Sequence, residues 1–411
     1  MVKNALADYQ EENSDQEEPS PPQQEQAPPQ QEPVSQDSNS SQVDEELKKI
    51  ADQLDVCIKI VGSGGGGSNT INRCVEGGID GAQLCALNTD AKHLLTVRAS
   101  KKILIGRTLT KGLGAGAIPH VGEQAAREND MEIREFLNGA SIVFITAGMG
   151  GGTGTGAAHY VARIAKEQFQ SLTLGVVTLP FKAEGSMRME NALQGLNRLR
   201  MLCDTTIVIP NDKLLDLVPK LPVDAAFKVA DEVLMQTLKG LTEIITKPGL
   251  VNLDYSDIQT IMKEGGVAFV GIGEADQDED DRVEVAVQEA LSSPLLGEID
   301  PREAQGALIR VVGGPEMTVS EAEKAAEIVS SRMSDRARII WGCSVEEEQE
   351  GSIRILLIIT GAKSKYMLGN EGGQVTSPID DRMEVSKMQA PAHDYGYSSQ
   401  SDDDTGIDFV R

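Results

Sequence analysis

A chain of 411 residues with a net charge of −26 and only 3% aromatics is long enough for two or three domains with aliphatic cores. Residues 1–50 carry −9 and residues 363–411 carry −4, leaving −13 for the middle; this balance argues against non-specific binding to nucleic acid or anionic lipid. Cys57, Cys74, Cys85, Cys203 and Cys343 are scattered and lack CxxC spacing, which excludes a disulfide framework or a zinc site and suits reduced thiols in a cytosolic protein.

The start of the chain has no apolar signal segment, and no apolar run reaches membrane-spanning length, so direct membrane insertion is not expected. Residues 10–43 are rich in Gln, Glu, Pro and Ser and are expected to stay disordered. DEELKKIADQL predicts a short helix. From Val56 the pattern alternates: strand VCIKIVG, helix NTINRCVEGG, strand AQLCALNTD, a Gly-rich excursion, helix GEQAARENDMEIREFLNG, then strand SIVFITAG. After the loop AGMGGGTGTG come a helix, strand LTLGVVTLP, helix SMRMENALQGLNRLRMLC and strand TTIVIPN. Continuous apolar strands alternating with helices predict an α/β fold with a parallel sheet covered on both faces. VDAAFKVADEVLMQTLKGLTEIIT predicts one long helix ended by KPG. A smaller α+β unit follows, in which RIIWGCSVE and SIRILLIITGA are expected to pair in a mixed sheet, and order is expected to fail after about Ala362.

Two stretches are unusually bare. Gly62, Gly64 and Gly67 satisfy GxGxxG, and six of the nine residues from Gly148 to Gly156 are glycine. Each lies between a strand and a helix, where backbone N–H groups can seat an anion; a plain flexible loop is the alternative. One glycine loop, with Asp90 as ribose partner, would suit a NAD-binding oxidoreductase. Two loops on different parallel strands suit a triphosphate better. No Walker lysine follows either loop, so Mg²⁺ would supply much of the charge compensation.

PFKAEGSMR and PND lie beyond strands on the same rim. There Glu184 can accept from ribose hydroxyls and Arg188 can offer a planar cation, unless both are ordinary loop charges. Phe227 and Asp231, spaced i and i+4, share one helix face. A stacking ring and a carboxylate accepting from N1–H and the 2-amino group would select guanine; a core ring and a solvated acid are the alternative. Asp254 and Asp257 open a helix, where carboxylates also serve as caps. They stand about 20 residues past Asp231, roughly 30 Å along a helix, too far for their own subunit's phosphates.

GGGTGTG at 150–156 resembles the tubulin/FtsZ signature, and IKIVGSGGGGSN, NTD, PFKAEGSMR, IPNDKLL and NLDYSDI are similar to FtsZ segments in the same order. AAFKVADEVL and the ending GIDFVR resemble the archaeal branch. The resemblance covers about residues 55–362 and implies a tubulin/FtsZ fold. Its parts would be an acidic tail over 1–50, a Rossmann-like GTP-binding domain over 51–225, a central helix over 226–247, an α+β domain over 248–362 and a tail over 363–411. It implies a cytoplasmic GTPase of cell division at midcell, forming head-to-tail homopolymers. A filament serving cell shape or DNA positioning is the alternative within the superfamily.

By motif match, Gly64, Gly65, Gly66, Gly67, Ser68, Asn69, Gly150, Gly151, Gly152, Thr153, Gly154 and Thr155 would hold the phosphates of GTP or GDP with Mg²⁺. Glu184, Arg188, Asn211, Phe227 and Asp231 would line ribose and base. Asn252, Asp254 and Asp257 would serve the next subunit's γ-phosphate. No protein metal ligand is assigned. The terminal peptide 405–411 would bind a membrane-anchoring division protein. Ser68 and His159 depart from the usual pattern, and His159 reads as a surface helix residue.

Overall fold

A computed structural model describes residues 56–217, 223–246, 255–263, 265–276, 281–297 and 299–362. The expected N-terminal helix, both tails, Asn252 and Asp254 lie outside the described residues.

The first half builds β1 (Ile58–Ser63), α1 (Gly64–Glu76), β2 (Ala82–Asn88), α2 (Ala91–Thr96), β3 (Lys101–Leu104), α3 (Arg107–Thr110), α4 (Pro119–Glu128), α5 (Asp130–Leu137), β4 (Ile142–Gly148), α6 (Thr153–Phe169), β5 (Leu172–Leu179), α7 (Ser186–Arg200) and β6 (Thr205–Pro210). Next come α8 (Asn211–Leu217), the long α9 (Val223–Thr246), α10 (Tyr255–Met262), β7 (Gly266–Asp276), α11 (Arg282–Ser292), β8 (Gly306–Gly313), α12 (Val319–Arg332), β9 (Arg338–Val345) and β10 (Ser352–Thr360). The long helix spans the stretch VDAAFKVADEVLMQTLKGLTEIIT that the sequence predicts.

The strands form one sheet in the order β3-β2-β1-β4-β5-β6-β7-β10-β8-β9. From β3 to β6 all neighbours are parallel. Among the described residues, β6 and β7 pair through Thr205–Gly266 to Ile207–Ala268, which joins the parallel part to the second unit.

Alternate side chains of each strand leave on opposite faces. Ile58, Ile60, Ile142 and Phe144 join a core with α1 and α9 residues such as Ile71, Leu234 and Leu238. Val61, Val143 and Ile145 join the other core, with residues of α4 to α7. α9 is thus packed against one face of the sheet, and Gly240 lets it lie close: a Cβ there would fall 2.4 Å from Leu356 Cδ2 on β10.

Three expectations need correction. β9 and β10 share the mixed sheet but do not pair with each other. β9 runs parallel to β8, and β10 is antiparallel to both β7 and β8. The helix α12 between β8 and β9 makes a strand–helix–strand crossover, and such a unit places its strands side by side and parallel. The Gly-rich excursion contains β3 and α3. The expected single helix over 122–139 is two, broken at Asn129, whose Oδ1 accepts from the Gly106 N–H at 2.9 Å.

Candidate functional site

At the carboxyl ends of β1, β4, β5 and β6 lies a cavity of about 590 Å³, a size that suits a small ligand. Gly65, Gly66, Asn69, Gly151, Gly152, Thr153 and Gly154 line it, as do Glu184, Arg188, Asn211, Phe227 and Asp231. The two glycine stretches and the start of α9, far apart in the chain, therefore meet around one space.

Each glycine stretch runs into the first turn of a helix. α1 begins at Gly64 and α6 at Thr153, so the orphan N–H groups of two helix starts lie next to the cavity. The bareness has two separate causes. Gly64 adopts φ +73°, and a Cβ on it would sit 2.6 Å from the Gly154 nitrogen. A Cβ on Gly154 would sit 2.7 Å from the Gly148 oxygen, and one on Gly67 would sit 2.4 Å from the Thr146 oxygen. These glycines let the two loops interlock. At Gly65 and Gly151 a Cβ would meet nothing within 4 Å; their bareness leaves the cavity open.

Five expected phosphate residues do not line the cavity: Gly64, Gly67, Ser68, Gly150 and Thr155. Gly67 is consumed by packing on Thr146, and Gly150, at φ +97°, is pressed against Arg188 O. Thr155 is buried, and its Oγ1 accepts from the Gly150 N–H at 2.8 Å, shaping the loop from behind. Ser68 is fully buried, and its Oγ makes no hydrogen bond among the described residues.

At the other end, the Phe227 ring is held edge-on by Phe181, with centroids 5.0 Å apart. Glu184 and Arg188 are not independent groups. They form an ion pair one helical turn apart, and Glu184 Oε1 also accepts from the Phe181 N–H at 2.9 Å. Asn211 is buried, and its Oδ1 has no partner among the described residues, so it is an orphaned acceptor on the cavity wall. Burial pushes the Asp231 carboxyl up to about 6, with Arg73 offsetting part of the rise.

Sequence reasoning matched Asn88 and Thr89 in the NTD segment without giving them a role, and it missed His93, Ala115, Ala117 and Thr178; all of them line the cavity. Thr89 Oγ1 lies 2.6 Å from Thr153 Oγ1, tying the end of β2 to the start of α6. The signal for His93 was present: Asp90 caps α2 by accepting from the His93 N–H, which places residue 93 in the first turn beside the rim.

His159 is not a surface residue. It is 9% exposed, with Nε2 3.3 Å from Glu123 Oε2. The cause is the close approach of α4 and α6. A Cβ on Gly122 would fall 2.3 Å from Gly152 O, and one on Gly156 would fall 1.9 Å from Pro119 O. One turn beyond Gly156, His159 is trapped between the two helices. It helps hold the Glu123 carboxyl well below the usual range, near 2, together with Arg127.

Asp257 is exposed in the first turn of α10. Two residues before it, Tyr255 Oη donates to Ser141 O at 3.4 Å. Ser141 precedes β4, and the cavity residue Gly148 ends it. Seven steps of extended chain, about 23 Å, separate those ends. The structure therefore does not bring Asp257 to its own cavity.

Residues 57–219 match the tubulin/FtsZ family, GTPase domain, and residues 266–363 match the FtsZ family, C-terminal domain. The chain is 52% identical over 334 residues to a cell division protein FtsZ 1 of Archaeoglobus fulgidus, covering 81% of this chain and 90% of that protein. To the FtsZ 1 of Halobacterium salinarum it is 50% identical over 342 residues, covering 83% and 85%. Among solved structures it is similar to an empty FtsZ dimer of M. jannaschii, with TM-score 0.73, 50% identity and coverage of 78% of this chain and 92% of that one.

Proposed function

The chain belongs to the tubulin/FtsZ family of GTPases, and from that premise we propose that it binds GTP in this cavity, assembles head to tail and hydrolyses GTP where two copies meet, as the polymer of a cell-division ring. The observation that carries the reading is the convergence of two helix-start glycine loops and the Phe227/Asp231 helix face on one cavity. The open faces of Gly65 and Gly151 fit phosphates, and the orphaned Asn211 Oδ1 fits a ligand donor. A triphosphate spans both loops, and a ring at Phe227 with a carboxylate at Asp231 suits guanine. A NAD site has no use for the second loop.

Among the described residues no group of three or more His, Cys, Asp or Glu side chains is placed to hold a metal. The cavity wall carries the separate carboxylates of Asp90, Glu184 and Asp231, and a Mg²⁺ ion there would be held chiefly by phosphate oxygens and water. When bound, the ion offsets phosphate charge that no Walker lysine meets.

The M. jannaschii relative forms a dimer. In this chain the cavity and α10 lie toward opposite ends of β4, so a stacked copy would bring its Asp257 to the neighbour's phosphates; Asn252 and Asp254 are assigned the same role by the motif match alone. Such a heterologous contact need not close and yields filaments. No helix among the described residues is long and apolar enough to cross a membrane. The terminal peptide 405–411, with Ile407, Phe409 and Val410 after the run Asp402–Asp404, is our candidate for holding the polymer at midcell through a membrane-anchoring protein.

The test is light scattering on adding GTP and Mg²⁺, repeated for Asp231→Ala and across pH. Wild type should assemble with GTP and not with ATP. Asp231→Ala should weaken GTP binding ~10- to 150-fold, the range for a hydrogen bond to a charged group, and narrow the gap to ATP. Guanine needs the ionised carboxylate, whereas the free protein takes up a proton as pH falls through about 6. GTP affinity should therefore be flat above that pH and fall by up to about tenfold per unit below it. Unchanged affinity in the variant, together with a flat profile down to pH 5, would reject the guanine contact.

A further inference from the structure

Resting on the reading of the cavity as a GTP site, we propose that His93 is a positioning residue that fixes which end of the Asn69 amide meets the bound phosphates. The reasoning starts from a group whose direction is certain. The Asp90 backbone N–H can only donate, and it lies 3.2 Å from Asn88 Oδ1. Asn88 is 3% exposed, so its amide has no solvent partner to trade for this one. With Oδ1 committed as acceptor, Asn88 Nδ2 is the donor that faces His93 Nδ1 at 3.1 Å.

A ring nitrogen that accepts carries no proton, so the neutral ring holds its proton on Nε2. Nε2–H faces Asn69 Oδ1 at 2.9 Å. The oxygen of Asn69 is thereby engaged, and the remaining polar group of this cavity-lining side chain is its NH₂. The relay thus runs Asp90 N–H to Asn88, Asn88 to His93, and His93 to Asn69. Each step inherits its polarity from the one before.

The consequence is electrostatic. An NH₂ presented to a phosphate attracts it, whereas the opposite amide rotamer would present a carbonyl oxygen and repel it. His93 is itself fixed, because its backbone N–H donates to Asp90 Oδ1 at 3.0 Å, the N-cap bond of α2. The relay therefore ties the end of β2 to the phosphate-side turn of α1 without His93 having to touch the nucleotide.

The experiment is a double-mutant cycle on GTP binding with the full chain. His93→Phe keeps a ring of similar volume and removes both ring hydrogen bonds; it should weaken GTP binding about tenfold. His93→Gln carries a donor and an acceptor on one amide and should regain most of that loss. Asn69→Ala should remove the group that the relay orients, so His93→Phe/Asn69→Ala should bind no more weakly than Asn69→Ala alone. If the two losses multiply, or if His93→Phe binds GTP like wild type, the relay is wrong. If the wild-type chain binds no GTP at all, the reading of the cavity falls, and the relay with it.

Discussion

Asp257→Ala should bind GTP and polymerise while losing about 10²- to 10⁴-fold in GTP hydrolysis, the range for a positioned acid–base group. Asp257 lies on α10, tethered through Tyr255 to the start of β4, whereas the cavity lies at the end of that strand. Its loss leaves the walls of the cavity intact, so the nucleotide affinity of the isolated subunit should not change. Hydrolysis needs a water aimed at the γ-phosphate. In the proposed filament, a carboxylate arriving from a stacked neighbour would accept that water's hydrogen bond and proton. Filaments of the variant should therefore outlast wild-type filaments after GTP addition, because their nucleotide stays unhydrolysed. Phosphate release, read together with sedimentation, separates the two effects. A variant that hydrolyses GTP at the wild-type rate would remove Asp257 from the chemistry.

Arg310→Ala should destabilise the chain by ~3–5 kcal/mol, the cost of removing one partner from a buried ion pair. Arg310 on β8 pairs with Glu243 on α9, with side-chain exposures of 8% and 1%. The same guanidinium nitrogen lies 3.2 Å from Ser344 Oγ and 3.1 Å from Glu346 Oε1. Removing the arginine leaves the buried Glu243 carboxylate without this cation. Replacing both partners, as Arg310→Met/Glu243→Gln, should recover much of the loss, since the charge goes with its counter-charge. The pair also has a mechanical place. Glu243 is twelve residues along α9 from Asp231, about 18 Å, so the strands of the second unit grip the helix whose other end carries the base-side residues. Urea unfolding should show the drop in the single variant and its partial return in the double. A loss below about 1 kcal/mol in Arg310→Ala would mean that the ion pair is not what anchors β8 to the helix.

The parallel strands were legible because burial on both faces leaves nearly continuous apolar runs, as in β4 and β5. The long helix was legible because its apolar positions keep helical spacing from Val223 to Thr246. β3 was not legible. It is four residues, KKIL, and its lysines mask a strand whose Ile103 alone is fully buried. The pairing of β9 and β10 misled because two adjacent apolar runs look like a hairpin; the helix between β8 and β9 carried the correct topology. His159 misled because α6 reads as one-sided. Its small residues at 154, 156, 157 and 158 let neighbours approach closely, so nearly the whole of its first half is buried.

At the site, composition marked both glycine loops but could not sort them. Whether a glycine admits a ligand or a neighbouring backbone depends on the other loop, more than eighty residues away, which is why Gly64 and Gly67 could not be told apart from Gly65. The Glu184–Arg188 pair shares the i, i+4 spacing of any helical ion pair. The sequence showed both charges without showing that each occupies the other. The Asp90 cap marked the position of His93, but its role comes from hydrogen bonds that join its own helix to the end of β2 and to α1.

The central claim is that a site complete for binding becomes complete for hydrolysis only when two copies meet. The most direct measurement mixes two inactive proteins. One is Asp254→Ala/Asp257→Ala, with its cavity intact. The other is Gly151→Phe, whose added ring would enter the open space beside Gly151, where a Cβ meets nothing within 4 Å, and block nucleotide without disturbing the packing around it. At a junction, the first protein offers GTP and the second offers the carboxylates. Phosphate release should return in the mixture and rise with the concentration of either partner. A mixture that co-sediments and still releases no phosphate above its separate components would contradict the shared site.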